Sequence, residues 1–242
     1  MPRVLVRPDK AGVAEAAASM LIEDVAAAIQ LRGRAVWVAA GGTTPAAAYD
    51  VLADRHAASA WWGQMTIAIG DERCVPLDDP DSNWGQLASA LLDRLIDGVP
   101  QLLVPRTELS AGDAAADYRS RLARLERLSS GLPRLDHVWM GLGEDGHTLS
   151  LFPGHLAELQ SRELAVAVHD SPKPPPDRIS LTCEALKGAG HCLVLAAGAG
   201  KREIVKRALA EDASLPVVGA MQAVEDAGGA VTWLLDEAAR AG

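Results

Sequence analysis

His137-Val-Trp-Met-Gly-Leu-Gly-Glu-Asp-Gly-His147 begins as a short, mostly apolar run and turns directly into a glycine loop that ends in two acids and an imidazole. A brief apolar run closed by glycine suits a strand buried on both faces. The same unit recurs outward in both directions. Apolar runs rich in β-branched residues lie at 35–40, 65–69, 164–168, 192–196 and 231–235, with an edge strand at 4–6. Stretches rich in Ala, Leu, Arg and Glu, with helical spacing, fill 11–31, 45–56, 83–95, 111–129, 201–210 and 237–241. Strands alternating with helices give βαβ units. The expected fold is α/β, a three-layer Rossmann-like, doubly wound, mostly parallel sheet. No linker divides the 242 residues into two composition regimes and no repeat is visible, so residues 1–242 read as a single domain.

Composition sets the outer limits. Hydrophobic residues make up 49% and charged residues 23%, the balance of an ordinary globular protein. The formal net charge of −9 argues against broad nucleic-acid binding, which needs a basic face to displace counterions. It leaves room for a small anion held by a few local cations. Cys74, Cys183 and Cys192 are odd in number and form no Cys-x-x-Cys pair, which points to a reducing compartment. The first residues lack a basic-then-apolar leader, and no apolar run reaches the roughly 18 residues of a membrane span. A cytoplasmic protein with no membrane partner is expected.

In a doubly wound sheet, ligands sit beyond the carboxyl ends of the strands. Four loops therefore matter, those after Ala40, Ile69, Met140 and Ala196. The first, Gly41-Gly-Thr-Thr-Pro45, is a glycine turn feeding a helix, with Thr44 as the expected cap and Pro45 at its start. Such a turn can bind an anion, although the lysine of a P-loop is missing. The second, Gly70-Asp-Glu-Arg-Cys-Val-Pro76, sets three charges at a strand end, with Ser82-Asn83 soon after. The third matches G-x-G-x-x-G at Gly141, Gly143 and Gly146, but Glu144 and Asp145 would repel a pyrophosphate. A loop presenting acid and imidazole groups fits better than a dinucleotide cradle. The fourth, Gly198-Ala-Gly-Lys201, puts a lysine at a helix start, which opposes the helix dipole unless an anion sits there. The proline cluster Ser171-Pro-Lys-Pro-Pro-Pro-Asp177 reads by itself as a stiff surface connection.

Together these blocks resemble the 6-phosphogluconolactonase family, within the glucosamine-6-phosphate isomerase/6-phosphogluconolactonase superfamily. The resemblance runs through Gly41–Pro45, Gly70–Pro76 with Ser82-Asn83, 141–154, 172–182 and the turn before Lys201, in family order across nearly the whole chain. It implies hydrolysis of 6-phosphoglucono-1,5-lactone to 6-phosphogluconate. It also implies His147 as general base, Asp145 as its companion carboxylate, and Arg73 at either the lactone or the phosphate. Gly41, Gly42, Thr43, Asp71, Arg178 and Lys201 become substrate- or phosphate-binding positions. The proline cluster becomes the approach to Arg178.

The rival within the superfamily is the amino-sugar-phosphate deaminase. Its pattern after Asp-Gly-His resembles Ala-Phe-Asn-Glu-Pro, and its second loop resembles Asp-Glu-Tyr. This chain has Thr148-Leu-Ser-Leu-Phe-Pro-Gly154 and Asp71-Glu-Arg73, so the glutamate used in ring opening is missing. Two further classes are a non-catalytic sugar-phosphate sensor and a nicotinamide-dependent oxidoreductase. The first lacks a recognisable helix-turn-helix, and a nucleotide-binding titration separates the second. No cofactor and no metal are expected, because neither HExxH nor a Cys/His cluster is present. A serine hydrolase is disfavoured because no Gly-x-Ser-x-Gly elbow appears. The expected partner is a phosphorylated sugar lactone, bound by a monomer or small homo-oligomer.

Overall fold

The computed structural model describes residues 2–240. Its strands are β1 (Arg3–Arg7), β2 (Ala35–Ala39), β3 (Met65–Ile69), β4 (Asp71–Arg73), β5 (Gln101–Leu103), β6 (Leu135–Gly141), β7 (Ala165–Val168), β8 (Arg178–Leu181), β9 (Ala189–Ala196) and β10 (Ala230–Asp236). Its α-helices are α1 (Lys10–Arg32), α2 (Thr43–His56), α3 (Asn83–Ala90), α4 (Ala111–Leu122), α5 (Leu156–Leu159), α6 (Cys183–Leu186), α7 (Arg202–Leu209) and α8 (Pro216–Asp226). Seven strands form a wholly parallel sheet in the order β1-β10-β9-β6-β2-β3-β5. The α/β sheet read from the sequence is therefore present.

Alternation along each strand feeds two cores. On β2, Val36 and Val38 face one side with α4, α7 and α8, while Ala35, Trp37 and Ala39 face the other with α1 and α2. Apolar residues on both faces of a strand are what a sheet covered on both sides demands. The two middle strands, β6 and β2, are neighbours but send the chain to opposite faces. A crevice opens where the direction of winding reverses, and it opens at the carboxyl ends.

The helices have local causes. Asp9 caps α1 through the amide of Gly12 (2.8 Å), and Gly33 closes it with φ of +73°. Between them an alanine-rich run supplies high helix propensity. Ser110 caps α4, and Pro216 starts α8, where the missing N–H costs nothing.

Several expected boundaries need correction. The run at 164–168 forms β7, but in a separate sheet, antiparallel in the order β4-β8-β7. Strands β4, β5 and β8 carry charged or polar residues and gave no apolar-run signal. Helix α8 went unread, although its buried residues Val217, Val218, Ala220, Met221 and Val224 recur at helical spacing. The stretch 83–95 breaks into α3 and the 3-10 turn Leu92–Arg94, and 111–129 stops being helical at Leu122. Residues 237–240 are turns rather than helix, and 241 lies outside the described residues. Helix α2 starts at Thr43, with Gly42 in the cap position and no side-chain cap, so Thr44 lies inside the first turn.

A polar cluster ties the amino-terminal edge of the sheet. Asp24 Oδ2 on α1 meets Nδ1 of His137 (2.6 Å) on β6 and Nδ1 of His191 (2.7 Å) on β9. Two imidazoles and a carboxylate could be read as a metal-ligand set. The indole N–H of Trp139, however, donates to His137 Nε2 (2.9 Å). His137 must then carry its hydrogen on Nδ1, pointing at Asp24. A metal on Nδ1 would move that hydrogen to Nε2, facing the indole N–H. The cluster is a hydrogen-bonded tie between a helix and two strands. Burial pushes the His137 imidazole below its ordinary pKa, in keeping with a neutral ring.

Candidate active site

The loop after β6 folds back on itself. The amide of Gly143 donates to His147 O (2.8 Å) and that of Gly146 to Gly143 O (3.0 Å). Gly146 takes φ of +86°, the left-handed conformation that favours glycine. This bend brings together two side chains only two residues apart. Asp145 Oδ1 receives both the backbone N–H of His147 (3.2 Å) and, at closer range, its Nδ1. An ionised carboxylate only accepts, so Nδ1 holds the hydrogen and Nε2 keeps a free lone pair. Phe152, the chain's single phenylalanine, lies 4.7 Å from the imidazole ring centre.

Burial is the largest influence on both partners. It pushes His147 below the ordinary imidazole pKa, and the Lys173 ammonium adds to this, while Asp145 opposes. Burial alone would raise Asp145, but the charge and hydrogen bonds of His147, with Lys173, outweigh it and hold the carboxyl below its usual range. Both directions favour a neutral base beside an ionised carboxylate.

Gly143 has no room for a side chain, since a Cβ there would lie 2.0 Å from His147 Nδ1 and 2.6 Å from Asp145 Oδ1. Gly143→Ala is expected to displace the imidazole and lower turnover by about 10²-fold or more, because misplacing a reacting group by about 1 Å can cost that much. Steady-state kinetics beside a circular dichroism spectrum checks this; full activity in a folded variant would show that the loop adapts.

The second wall is β4, which follows β3 after a single glycine. Asp71 is buried and accepts from Ser150 Oγ (2.6 Å). Glu72, next in the strand, points away from the cleft and is fully buried. It accepts from the amides of Arg73 (2.7 Å), Asn83 (2.8 Å) and Trp84 (2.7 Å), and from Ser82 Oγ (3.1 Å). It thereby satisfies the amino end of α3. Arg73 returns to the cleft side, where its Nη1 donates to Asp81 O and its Nε has no partner. Asn83 Nδ2 donates to Asp71 O (2.7 Å).

The third wall is the glycine turn at α2. A Cβ on Gly41 would lie 1.8 Å from Asn83 Oδ1, so the turn can pack here only as glycine. Gly42 has φ of +106° and leads into α2, whose first residues Thr43, Thr44 and Pro45 line the cleft. Opposite stands Lys201, which burial pushes below the ordinary lysine pKa while Glu144 and Asp145 oppose. One amide of the turn before Lys201 is already engaged. The amide of Gly198 already donates to both carboxylate oxygens of Asp236 (3.0 and 2.9 Å).

These walls enclose a cleft of about 280 Å³. Of the residues singled out from the sequence, Gly41, Gly42, Thr43, Asp71, Arg73, His147, Arg178 and Lys201 line it, and Asp145 stands behind His147. Arg178 is nearly buried, and most of its donors are turned to backbone carbonyls. Asn83 and Lys173 also line the cleft but were not singled out. Asn83 looked like a helix start and Lys173 like part of a proline connection. A lysine inside an otherwise apolar proline run was the available signal.

Across residues 8–233 the chain matches the family described as glucosamine-6-phosphate isomerases/6-phosphogluconolactonase. A 6-phosphogluconolactonase of Streptomyces coelicolor is 37% identical, covering 98% of this chain and 93% of its own. One from Rattus norvegicus is 39% identical, covering 86% and 80%. The crystal structure of 6-phosphogluconolactonase from Leishmania guyanensis superposes with a TM-score of 0.84 at 28% identity, over 99% of this chain and 97% of that one.

Proposed function

The chain belongs to the glucosamine-6-phosphate isomerase/6-phosphogluconolactonase family, and we propose that it hydrolyses 6-phospho-D-glucono-1,5-lactone to 6-phospho-D-gluconate, a step of the oxidative pentose phosphate pathway. The observation that carries this reading is the His147–Asp145 pair, with a free Nε2 at a cleft also lined by the start of α2 and by Lys201. His147 Nε2 takes a proton from water as the water oxygen attacks C1. Negative charge gathers on the former carbonyl oxygen, where Arg73 is placed as a counter-charge. The C1–O5 bond then breaks, and the proton on His147 passes to O5. The products are a free 5-hydroxyl and a carboxylic acid, which releases one proton to solvent.

Asp145 holds the imidazole in the tautomer that this step needs. Gly41, Gly42, Thr43 and Lys201 bind the phosphate, and Asp71 accepts from a sugar hydroxyl. Remote binding of the phosphate serves to orient the reacting carbon. The position of the deaminase glutamate, fourth after the histidine, is occupied by the fully buried Leu151. Thr148 bonds to Gly141 O (2.8 Å), and no acid replaces the missing group. The reaction is assigned to the cytoplasm, in a monomer or small homo-oligomer that binds neither nucleic acid nor membrane. No helix among the described residues is long and apolar enough to cross a membrane.

The test is acid release from the phosphorylated lactone by purified protein, with glucosamine 6-phosphate as control. Turnover of the amino sugar, or none of the lactone, would overturn the reading. Lys201→Ala is expected to raise KM for the phosphorylated lactone by roughly 10- to 100-fold, since a hydrogen bond to a charged group is worth about 1.5–3 kcal/mol. KM for unphosphorylated gluconolactone should stay nearly constant. Equal effects on both substrates would remove Lys201 from the phosphate site.

A further inference from the structure

The loop 171–177 brings a cation to the catalytic pair that the mechanism above leaves unused. Lys173 Nζ lies 3.9 Å from Asp145 Oδ2, while Oδ1 of the same carboxylate faces His147. The lysine side chain is 45% exposed and lines the cleft. We propose that Lys173 is a positioning residue for lactone opening, holding the outer oxygen of Asp145 while the inner oxygen orients His147, and that Arg178 acts one step further out by building the loop that carries it. This rests on the reading of His147 as the base.

The geometry around Arg178 supports its part. Its Nε donates to Pro175 O (3.1 Å), and its Nη2 to Lys173 O (2.9 Å) and Pro174 O (3.0 Å). Nη1 reaches Ser150 Oγ at 3.5 Å. One guanidinium thus grips three successive carbonyls with three of its five N–H groups. Ser171 completes the loop, donating to Lys173 O (2.8 Å) and accepting from Lys173 N (3.3 Å). The backbone of Lys173 is therefore held, and its partly exposed side chain extends toward Asp145.

Charge explains what the lysine does there. Asp145 on its own loop and Asp71 on β4 both favour the imidazolium form of His147. Arg73 and Lys201 line the same cleft, and Glu144 stands by Lys201. Lys173 opposes the acids and favours the neutral ring that can accept a proton. It also keeps Asp145 ionised.

The experiment uses Lys173→Met and Lys173→Arg in the full-length chain, with two readouts. In ligand-free protein, the His147 ring is titrated by nuclear magnetic resonance. With the phosphorylated and unphosphorylated lactones, kcat and KM are measured against pH. Lys173→Met is expected to move the His147 midpoint to higher pH and to lower kcat by roughly five- to tenfold, a fraction of what a positioned base contributes. The ratio of the two KM values should hold, and Lys173→Arg should restore the midpoint. Arg178→Lys should shift the midpoint in the same direction as Lys173→Met. An unmoved midpoint would overturn the proposal. So would a loss confined to KM for the phosphorylated lactone, which would make Lys173 a phosphate ligand. Failure of the wild-type protein to open either lactone would sink the functional reading instead, and the ligand-free titration would still decide the Lys173 contact.

Discussion

His147→Ala should lower kcat/KM for the phosphorylated lactone by about 10²–10⁴-fold, the contribution of a positioned general base. The loss should fall mainly on kcat, because proton transfer occurs in the transition state and the residues proposed to bind the phosphate are others in the cleft. Binding of inorganic phosphate, measured by calorimetry, should survive. The pH dependence carries a sign. A base acts only when neutral, so activity falls as His147 becomes protonated. Burial lowers its pKa, and this places the acid limb of kcat/KM below the ordinary imidazole range. From there upward the limb should stay flat through neutrality. A variant with unchanged turnover, or an acid limb that persists in it, would take His147 out of the reaction.

The largest effect on stability is expected at Glu72→Gln. The carboxylate is fully buried and gathers four donors, each needing an acceptor. An amide can supply only one oxygen, and its NH₂ must then face an N–H of Arg73, Asn83 or Trp84. Each buried group left unpaired costs about 1–3 kcal/mol, so a total of about 2–4 kcal/mol is expected. For a chain of this length that corresponds to a Tm lower by roughly 5–15 °C. The effect should spread to the active site, because the same contacts hold β4 against α3 and so place Asp71 and Arg73. Denaturant unfolding followed by kinetics on the folded variant checks both. An unchanged unfolding midpoint would show that water replaces the lost acceptor.

Much of the site was legible because its parts are local. Gly146 stands between Asp145 and His147, and the bend it permits is what lets their side chains meet. Gly41 and Gly42 announced a tight turn, and one packs against Asn83 while the other takes a positive φ. Glu72 was not legible. An acid in a polar triplet reads as a solvated loop end, and nothing nearby in the chain indicates that a helix start folds over it. The resemblance implied a phosphate-binding role for Arg178, but its hold on the carbonyls of residues 173–175 was not legible, since a charge shows its sign in a sequence but not where its donors point. Lys173 read as surface because the prolines around it suit a connection.

What the sequence by itself determined, then, is the alternating α/β order, the parallel sheet and the strand–glycine units at its carboxyl edge. These depend on periodicity and on glycine, which act over a few residues. Only the tertiary structure decided that β4, β8 and β7 form a second, antiparallel sheet, that Asp236 takes the Gly198 amide before Lys201, and that Lys173 arrives at Asp145. The physical reason is that burial and the choice of partner for a charge depend on residues distant in the chain. A buried, satisfied carboxylate and a solvated one are written with the same letter.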